Sequence, residues 1–326
     1  MIETIGILGG GAWGTALALV AARAGRAVAL WARDPATVAA INERHENPGH
    51  LPGIRLDAAI TATISLAAAA SVDAVLLAVP AQEVRAVALA AAPHLAAGTP
   101  VIVCAKGLER GTLKRLSEVV GEAAPRAIRA ALSGPGFAAD VGRGLPTAVT
   151  IASATEPVAL DLCRALASRS FRPYAETDLI GVEIGGAVKN VLAIAAGIVV
   201  GRGLGPSARA ALIARAFAEL RRLGEALGAR PETLMGLSGL GDLVLTASGP
   251  QSRNFAYGLA IGEGRDRSNH PLVEGIETAA VARDLAGGLG VAVPVVDAVA
   301  GVLAGTLDLD QAIEGLMSRP LKREAD

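Results

Sequence analysis

A glycine-rich segment near the start of the chain most constrains the fold. Gly9, Gly11 and Gly14 form a GxGxxG pattern within GILGGGAWGTALA, directly after the apolar run Thr4–Leu8 and at the start of a helical pattern. In that context the first glycine permits a tight turn and the second lets backbone approach a pyrophosphate, while the third lets the helix pack on the strand. The segment therefore predicts a dinucleotide site at the N-terminus of the first helix.

Apolar runs and helical patterns alternate through the first half of the chain. Such alternation implies right-handed crossovers and a mainly parallel sheet covered by helices on both faces. Buried strands are predicted at Thr4–Leu8, Ala27–Trp31, Ala74–Val79, Pro100–Cys104 and Ile128–Leu132, with two further strands at Thr147–Ala152 and Phe171–Tyr174. The intervening helices are predicted at Gly14–Ala24, Ala36–Glu43, Gln82–Ala91 and Leu113–Gly121.

The pattern changes after Asp178, where helical periodicity replaces the strand pattern. We therefore expect an α/β Rossmann-type, dinucleotide-binding domain over residues 1–178 and an all-helical substrate and catalytic domain over residues 179–326. No strand is predicted in the second domain. Its helices are predicted at Val182–Val200, Ala208–Leu227, Glu277–Gly287 and Pro294–Leu303.

The hydrophobicity of the chain raises the question of a membrane segment. Hydrophobic residues make up 52% of the 326 residues, and the mean hydropathy is +0.46. The uncharged run 191–201 is shorter than the roughly 20 apolar residues that a spanning helix needs, so a buried core helix is expected. Met1 leads directly into a strand-like run, without the basic region and cleavage site of a signal peptide. A cytoplasmic protein with no integral membrane segment is predicted.

Charge and residue usage argue against nucleic acid and metal ions as partners. Lys and Arg number 30 against 31 Asp and Glu, so no strong positive field attracts nucleic acid. Aromatic residues make up 2% of the chain, too few for single-strand stacking platforms. Cys104 and Cys163 are far apart and are interpreted as free thiols. No metal site is predicted, because metal-ligand spacing is absent from the four histidines, His45, His50, His94 and His270.

The end of the second predicted strand bears on the choice of dinucleotide. An NAD site usually places Asp or Glu about 20 residues after the glycines, where it binds the ribose 2′-hydroxyl. Here that place holds Arg33, which can pair with a 2′-phosphate, followed directly by Asp34. NADP(H) is therefore favoured, and NAD(H) stays an alternative. The competing interpretation of Arg33 is a solvated loop arginine.

Lys189 and Asn190 precede an apolar helical run in the second half of the chain. A lysine at the edge of a buried helix is costly unless it is paired or has a function. One interpretation is a structural lysine that extends to solvent or pairs with Glu183. The other is a proton donor to a carbonyl oxygen, because partial burial lowers a lysine pKa toward neutrality. The residues alone leave both interpretations open.

A second polar cluster in the helical half suits an anionic substrate. Asp242 follows a glycine-rich turn. Ser252, Arg253 and Asn254 then offer a hydroxyl, a guanidinium and an amide, a set that suits a phosphate and neighbouring hydroxyls. The alternative is a polar loop that caps a helix, with Ser252 as the N-cap.

Two loops of the first half lie where α/β folds bind ligands. Lys106 and Gly107 follow one predicted strand, and residues 133–138 follow the next. The chain lacks a GxxxxGK[ST] phosphate loop, an HExxH metal motif and a GxSxG nucleophile turn. A dinucleotide cofactor combined with a lysine acid favours hydride transfer.

A series of ordered motifs runs through both predicted domains. They are GGGAWGTALA (9–18), LWARDP (30–35), NPGHLPG (47–53), CAKGLE (104–109), LSGPGFA (132–138), GLPTA (144–148), GVEIGGAVKNVLAIAAG (181–197), GLSGLGDLVLT (236–246), QSRN (251–254) and LVEG (272–275). In these motifs the chain resembles the bacterial NAD(P)-dependent glycerol-3-phosphate dehydrogenases. The resemblance implies reversible reduction of dihydroxyacetone phosphate to sn-glycerol 3-phosphate for phospholipid synthesis. It also implies a helical domain similar to the C-terminal domain of 6-phosphogluconate dehydrogenase.

The resemblance implies a role for each matching residue. Lys189 matches the catalytic lysine, which donates a proton to the C2 oxygen in reduction and accepts one in reverse. His50 stands where the family often has an aromatic residue near the cofactor. The implied substrate-binding residues are Lys106, Gly134, Gly136, Lys189, Asn190, Asp242, Ser252, Arg253 and Asn254. The implied cofactor-binding residues are Gly9, Gly11, Trp13, Gly14, Arg33, His50, Lys106, Ala138, Arg253, Leu272 and Glu274.

Two positions depart from the pattern of the family. Gly136 stands where the family usually has Ser or Thr, so a side-chain hydrogen bond to the substrate worth about 0.5–1.5 kcal/mol is lost, while backbone amides can still serve there. Ala12 replaces a frequent serine of the glycine-rich loop, which removes a phosphate contact. Neither position touches Lys189, so activity is expected to survive.

Two other functions stay open at this point. A related reductase, such as a ketopantoate reductase or a 3-hydroxyacid dehydrogenase, would bind a substrate carboxylate at Arg253. A non-catalytic NADP(H)-binding regulator would be expected to lose the lysine or its partners, whereas Lys189, Asn190 and Asp242 are all present. A homodimer is expected from the apolar helical domain, and the resemblance implies the same.

Overall fold

The computed structural model describes residues 1–266 and 270–318. The strands are β1 (Thr4–Leu8), β2 (Ala27–Trp31), β3 (Glu46–Asn47), β4 (Leu51–Arg55), β5 (Ile60–Thr63), β6 (Ala74–Leu77), β7 (Pro100–Val103), β8 (Ile128–Ser133), β9 (Thr147–Ser153) and β10 (Phe171–Glu176). The helices are α1 (Ala12–Arg23), α2 (Pro35–Arg44), α3 (Leu66–Ala70), α4 (Val84–Ala91), α5 (Leu116–Ala123), α6 (Ala138–Gly142), α7 (Glu156–Leu166), α8 (Leu179–Gly201), α9 (Gly205–Ala226), α10 (Pro231–Met235), α11 (Asp242–Thr246), α12 (Arg253–Gly262), α13 (Glu274–Gly288), α14 (Pro294–Ala304) and α15 (Leu309–Met317). Two 3₁₀ turns, Ala81–Glu83 and Ala92–His94, and a π-helical turn, Leu237–Gly241, are also present.

One large sheet organises the first half of the chain. Its strand order is β10-β9-β8-β7-β6-β1-β2-β5, and its neighbours are parallel except for β8 and β9. The chain runs outward from β1 through β2 to β5 and then returns to β6 on the other side of β1. The carboxyl ends of β1 and β6 therefore form a topological switch point, where open α/β sheets bind ligands.

The predicted fold class is confirmed, with a mainly parallel sheet followed by a helical second half. Every predicted strand and helix has a counterpart, and the described residues after β10 contain no strand. The hairpin formed by β3 and β4 and the helix α7 were not predicted. β3 has only two residues, too few to give a periodic pattern. The antiparallel pairing of β8 with β9 was also missed, because an apolar run does not reveal the direction of its strand.

Helix α8 is the core of the second half. Of its 23 residues, those from Gly181 to Ile198 are buried. By length and composition it is the one helix in the described part of the chain that could cross a membrane, yet 83% of its most apolar window is buried inside the protein. Its apolar residues pack against the surrounding helices rather than facing outward. The expected core helix therefore occurs at this position.

Close packing of α8 on α12 depends on glycines in both helices. A Cβ on Gly258 of α12 would lie 2.0 Å from the Ile194 carbonyl oxygen, and one on Gly197 of α8 would lie 2.1 Å from the Phe255 carbonyl oxygen. The two backbones are thus closer than any side chain would allow. This approach places the N-terminus of α12 beside the middle of α8.

The two halves of the chain share a buried seam. Ala131 and Ala152 of the sheet pack against Val182 of α8. Leu108, in the loop after β7, is fully buried among the apolar residues of the helical half. The seam brings the carboxyl edge of the sheet against α8, and the polar residues described below lie there.

We predict that Gly258→Ala destabilises the protein by about 1–3 kcal/mol, because the new methyl group forces α12 away from the α8 backbone. Gly287→Ala is the matched control, since Gly287 lies in helix α13, where an added Cβ would come within 4 Å of no other element in the described part of the chain. That substitution is expected to be neutral or stabilising by up to about 1 kcal/mol. Urea unfolding measures both variants, and equal stability of the two would contradict the packing argument.

Candidate active site

The three glycines of the first turn have different structural constraints. Gly9 has φ of +129°, and a Cβ there would lie 2.5 Å from the Ala78 carbonyl oxygen. A Cβ on Gly14 would lie 1.9 Å from the Gly9 carbonyl oxygen, so this glycine permits α1 to pack on the strand. At Gly11 an added Cβ would contact no atom of the described residues within 4 Å. Gly11 therefore borders open space at the N-terminus of α1, which fits the approach of a pyrophosphate.

Asn47, which the sequence reasoning did not single out, holds this loop in place. Its Nδ2 donates to the Gly10 carbonyl oxygen at 2.9 Å and to the Thr15 hydroxyl at 2.8 Å. Asn47 is buried and belongs to the short hairpin of β3 and β4. The only sequence signal was its place at the start of the NPGH turn, and its partners are more than 30 residues away in the chain.

Arg33 and Asp34, which follow β2, have different surroundings. The Asp34 carboxylate caps helix α2, accepting from Ala36 N at 3.1 Å and Thr37 N at 3.0 Å, and from the Thr37 hydroxyl. The Thr37 hydrogen bond and the two backbone bonds hold the pKa of Asp34 below its usual value. Arg33 is exposed and makes no hydrogen bond or ion pair with any described residue. Exposed His50 lies in the β3–β4 turn, close enough to Asp34 to interact electrostatically.

A single carboxylate joins the two candidate lysines. Asp242 Oδ1 lies 2.5 Å from Lys189 Nζ, and Asp242 Oδ2 lies 2.6 Å from Lys106 Nζ. Lys189 is 5% exposed and Asp242 is 1% exposed, so this is a buried array. Lys189 Nζ also donates to the Thr246 hydroxyl at 2.6 Å. Thr246 was missed in the sequence, although it stands one helical turn after Asp242 and therefore on the same helix face.

The array changes the acidity of its members. Burial lowers the pKa of Lys189 to about 8, against the opposing attraction of Asp242 and with the help of the nearby Lys106 charge. Burial alone would raise the pKa of Asp242, but the two ammonium groups outweigh it and hold the pKa below its ordinary value. The Asp242 carboxylate is therefore charged at neutral pH, and Lys189 loses its proton unusually easily for a lysine.

Glu183 does not pair with Lys189, so the predicted Lys189–Glu183 pair is wrong. The Glu183 carboxylate accepts from the Ser117 backbone N at 2.7 Å and the Ser117 hydroxyl at 2.5 Å. Arg115 donates to it at 3.2 Å. Glu183 thus ties α8 to the start of α5 across the seam between the two halves.

Two asparagine amides connect the lysine array to the start of α12. Asn190 Nδ2 donates to the Lys106 carbonyl oxygen at 2.9 Å, and its Oδ1 accepts from Asn254 Nδ2 at 2.9 Å. Asn254 Oδ1 in turn accepts from Gly275 N at 3.0 Å. These hydrogen bonds fix both amides and link the Lys106 loop, α8, α12 and α13 to one another.

The start of α12 combines a helix cap with an exposed arginine. The Ser252 side chain accepts from Phe255 N at 3.3 Å, so the N-cap interpretation of Ser252 is confirmed. Arg253 begins the helix and is exposed. Nearby Glu274, at the start of α13, accepts from Ala81 N at 3.3 Å. Burial raises the pKa of Glu274, with Arg253 and Lys106 acting in the opposite direction.

The loop after β8 lies beside Lys106. Gly134, with φ of +136°, presents its carbonyl oxygen to Lys106 Nζ at 2.9 Å. A Cβ on Gly136 would lie 3.4 Å from the Trp13 ring, which is ordinary contact, so a serine would fit. The Trp13 ring centroid lies 5.9 Å from Lys106 Nζ, and the buried Trp13 Nε1 has no hydrogen-bond partner among the residues that the structure describes.

The contacts gather many of the predicted residues but not all of them. Lys106 meets Trp13, Gly134 and Asp242 directly, and the asparagine bonds add Asn190 and Asn254. Ala138 begins the short helix α6 after the Gly136 turn. Arg33 follows β2 and His50 lies in the β3–β4 turn, outside this set of contacts, and Leu272 is half exposed ahead of α13. In residues 1–266 and 270–318, no group of three or more His, Cys, Asp or Glu side chains could hold a metal ion.

Comparison with known proteins assigns the chain to a family. Residues 4–159 match the N-terminal region of NAD-dependent glycerol-3-phosphate dehydrogenases, and residues 178–314 match their C-terminal region. The chain belongs to this family. The predicted resemblance is therefore confirmed over both halves.

Individual relatives agree along the whole length. Glycerol-3-phosphate dehydrogenase [NAD(P)+] of Bradyrhizobium sp. (strain ORS 278) is 60% identical over 99% of this chain and 98% of its own. The enzyme of that name from Azorhizobium caulinodans is 59% identical over 99% of each. The crystal structure of glycerol-3-phosphate dehydrogenase from Coxiella burnetii is 39% identical, with a TM-score of 0.92 over 98% of this chain and 99% of its own. A Ralstonia eutropha ketopantoate reductase, at 17% identity and a TM-score of 0.61, shares the fold alone.

We predict that Gly11→Ala and Gly14→Ala separate dinucleotide binding from folding. Gly11→Ala is expected to change stability by less than about 1 kcal/mol while weakening NADPH and NADH binding at least about tenfold, because the methyl group enters the open space at the helix N-terminus. Gly14→Ala is expected to cost about 1–3 kcal/mol of stability through its clash with Gly9. Calorimetric titration and urea unfolding test the pair, and unchanged affinity in Gly11→Ala would contradict the assignment.

Proposed function

We propose that the protein catalyses the reversible, NAD(P)H-dependent reduction of dihydroxyacetone phosphate to sn-glycerol 3-phosphate. The observation that carries the proposal is the Asp242 carboxylate between Lys189 and Lys106, at the carboxyl edge of a dinucleotide-binding sheet. This edge supplies both a cofactor cradle and a buried acid in one place. Family membership supports the same reaction.

Lys189 is the proposed proton donor to the C2 oxygen. A bound nicotinamide supplies the hydride, and the open N-terminus of α1 beside Gly11 fits its dinucleotide. With a pKa of about 8, Lys189 is mostly protonated at neutral pH and still releases its proton readily. Asp242 and Thr246 orient the ammonium group, so its proton has a fixed direction. The proposed chemistry assigns the role of the acid to Lys189 and needs no metal ion.

The substrate phosphate is proposed to bind at the start of α12. Ser252, Arg253 and Asn254 present polar groups and helix N-terminal amides there, which favour an anion. Lys106 supplies a second cation to the substrate. Gly134 and Gly136 contribute backbone from the loop after β8, and Asn190 and Asp242 complete the proposed substrate site.

NADP(H) is proposed as the preferred cofactor. The Asp34 carboxylate accepts hydrogen bonds as the N-cap of α2, while Arg33 beside it is exposed and unpaired among the described residues. An exposed arginine attracts a ribose 2′-phosphate, whereas a free carboxylate would repel it. The proposed cofactor residues are Gly9, Gly11, Trp13, Gly14, Arg33, His50, Lys106, Ala138, Arg253, Leu272 and Glu274.

The wider setting is also a proposal. We infer a dinucleotide-binding domain over residues 1–178 and a substrate domain over residues 179–326, since β10 ends at Glu176 and α8 begins at Leu179. A cytoplasmic location accords with the free, buried thiols of Cys104 and Cys163. The product would supply glycerophospholipid synthesis. Exposed apolar side chains of the helical half, such as Leu204, support a homodimer.

The direct test of the function is NADPH oxidation with dihydroxyacetone phosphate. Ketopantoate in place of the phosphate and NADH in place of NADPH are the controls. Rapid turnover with dihydroxyacetone phosphate and little with ketopantoate is expected. Absence of turnover with the phosphate would overturn the proposal.

We predict a pH dependence that follows the Lys189 pKa. Reduction requires the ammonium form, so its kcat should fall as pH rises through about 8, whereas oxidation requires the neutral amine and should fall as pH drops through the same value. Lys189→Ala should lower kcat about 10²–10⁴-fold and leave NADPH affinity nearly unchanged. Initial rates in both directions and NADPH titration measure this. An unchanged kcat would remove Lys189 from the mechanism.

We predict that Arg33→Ala raises KM for NADPH more than KM for NADH, by about tenfold in the ratio, because only NADPH has the 2′-phosphate. Arg44→Ala is a suitable control, since Arg44 is another exposed arginine, at the far end of α2. It should leave the ratio within about twofold. Equal KM changes for both cofactors in Arg33→Ala would mean that the arginine does not recognise the 2′-phosphate.

A further inference from the structure

The loop that carries Lys106 is held from outside the proposed site. It connects β7 to α5 and includes residues 104–115. Gln82, in the 3₁₀ turn that leads into α4, donates from Nε2 to the Leu108 carbonyl oxygen at 2.9 Å. Its Oε1 accepts from Arg110 N at 3.0 Å. One side chain therefore fixes the backbone on both sides of Glu109.

The Glu109 side chain is itself fixed by a two-pronged ion pair. Arg85 Nε and Nη2 each lie 2.8 Å from a different Glu109 oxygen. The Thr112 hydroxyl donates to the same carboxylate at 2.5 Å. Glu109 is buried, and its pairing with Arg85 holds its pKa below the usual value, so it is ionised at neutral pH. A paired arginine and carboxylate of this kind fix geometry as well as charge.

The other face of the loop is anchored in the helical half. Leu108 is fully buried in that core, and Leu113 packs against it. Leu113 has φ of 59°, a conformation that leucine adopts only where surrounding contacts impose it. Glu109 N donates to the Lys114 carbonyl oxygen at 2.9 Å, and Leu113 N donates to the Glu109 carbonyl oxygen at 3.0 Å. Residues 108–115 thus form a compact unit centred on Glu109.

Lys106 stands two residues before this unit, and the connection between them has little freedom. The Lys106 carbonyl oxygen is held by Asn190. A Cβ on Gly107 would lie 2.7 Å from the Ala81 Cβ, so the backbone at Gly107 is already pressed against the turn before α4. The position of Lys106 is therefore set by Asn190 on one side and by residues 108–110 on the other.

We propose that Glu109, held by Gln82 and Arg85, is a positioning residue for Lys106. The inference rests on the proposed function, in which Lys106 binds substrate. Lys106 Nζ has to meet both the Gly134 carbonyl oxygen and Asp242, and a small shift of the loop would break one of these contacts. Glu109 acts through the loop and takes no direct part in the reaction.

A double-mutant cycle with Lys106 tests this role. kcat/KM for dihydroxyacetone phosphate is measured with NADPH in wild type, Glu109→Gln, Lys106→Ala and the double variant. Glu109→Gln is expected to lower kcat/KM about tenfold, mainly through KM, when Lys106 is present. In the Lys106→Ala background it should change kcat/KM by less than about twofold, since no ammonium group remains to be positioned. Because Lys106 is also a proposed cofactor residue, a loss of NADPH affinity caused by Glu109→Gln should likewise disappear in the Lys106→Ala background.

Glu122→Gln is the matched control. Glu122 pairs with the same Arg85 Nη2 at 2.8 Å, but its side chain is 43% exposed, against 11% for Glu109. Because exposed pairs contribute little, this variant should retain kcat/KM within about twofold. Thermal unfolding checks that each variant is folded. If Glu109→Gln does not fold, Arg85→Lys keeps the charge but not the two-pronged contact, and the same cycle is run with it.

The outcomes separate the inference from the proposed function. A loss in kcat/KM that disappears without Lys106 supports the positioning role. An equal loss in both backgrounds, or no loss in either, overturns it while the enzyme itself remains active. A folded wild type that does not turn over dihydroxyacetone phosphate overturns the proposed function and this inference together.

Discussion

The Asp242 carboxylate connects ammonium groups from the two halves of the protein. Lys189 comes from the buried middle of α8, and Lys106 comes from the loop after β7. Two cations this close in a buried place repel each other, and a lone buried carboxylate would tend to take up a proton. Together the three groups satisfy one another, with an excess positive charge that suits a phosphorylated substrate. The near-neutral net charge of the chain is compatible with this, because the cations act locally.

Backbone packing makes this array possible. Glycines at the crossing of α8 and α12 bring the start of α12, where phosphate binding is proposed, close enough for Asn254 to donate to Asn190. Burial of α8 removes water from Lys189 and thereby lowers its pKa. The hydrophobicity of this Ala- and Gly-rich chain raised the question of a membrane segment. Its small residues instead allow helices to pack closely around a charged centre.

The sequence predicted the architecture well and the partners of individual side chains poorly. Buried strands and α8 have strong apolar patterns, so they were found near their observed bounds. Lys189 and Asp242 are 53 residues apart, and no local pattern could tell whether the lysine pairs with Asp242 or with nearby Glu183. Asn47 and Thr246 were missed for the same reason, since their contacts exist only in the folded chain. Ser252 shows the reverse case, because a local capping pattern correctly predicted its N-cap bond.

The pKa of Lys189 tests the buried Lys189–Asp242 pair most directly. It is measured by NMR titration of protein with ¹³C-labelled lysine side chains, in wild type and in Asp242→Asn. Lys189→Arg identifies the signal. We expect a pKa of about 8 in wild type. In Asp242→Asn we expect a lower pKa, because the lysine stays buried and loses its opposing charge. An ordinary lysine pKa in wild type, or the same pKa in both proteins, would contradict this arrangement of Lys189 and Asp242.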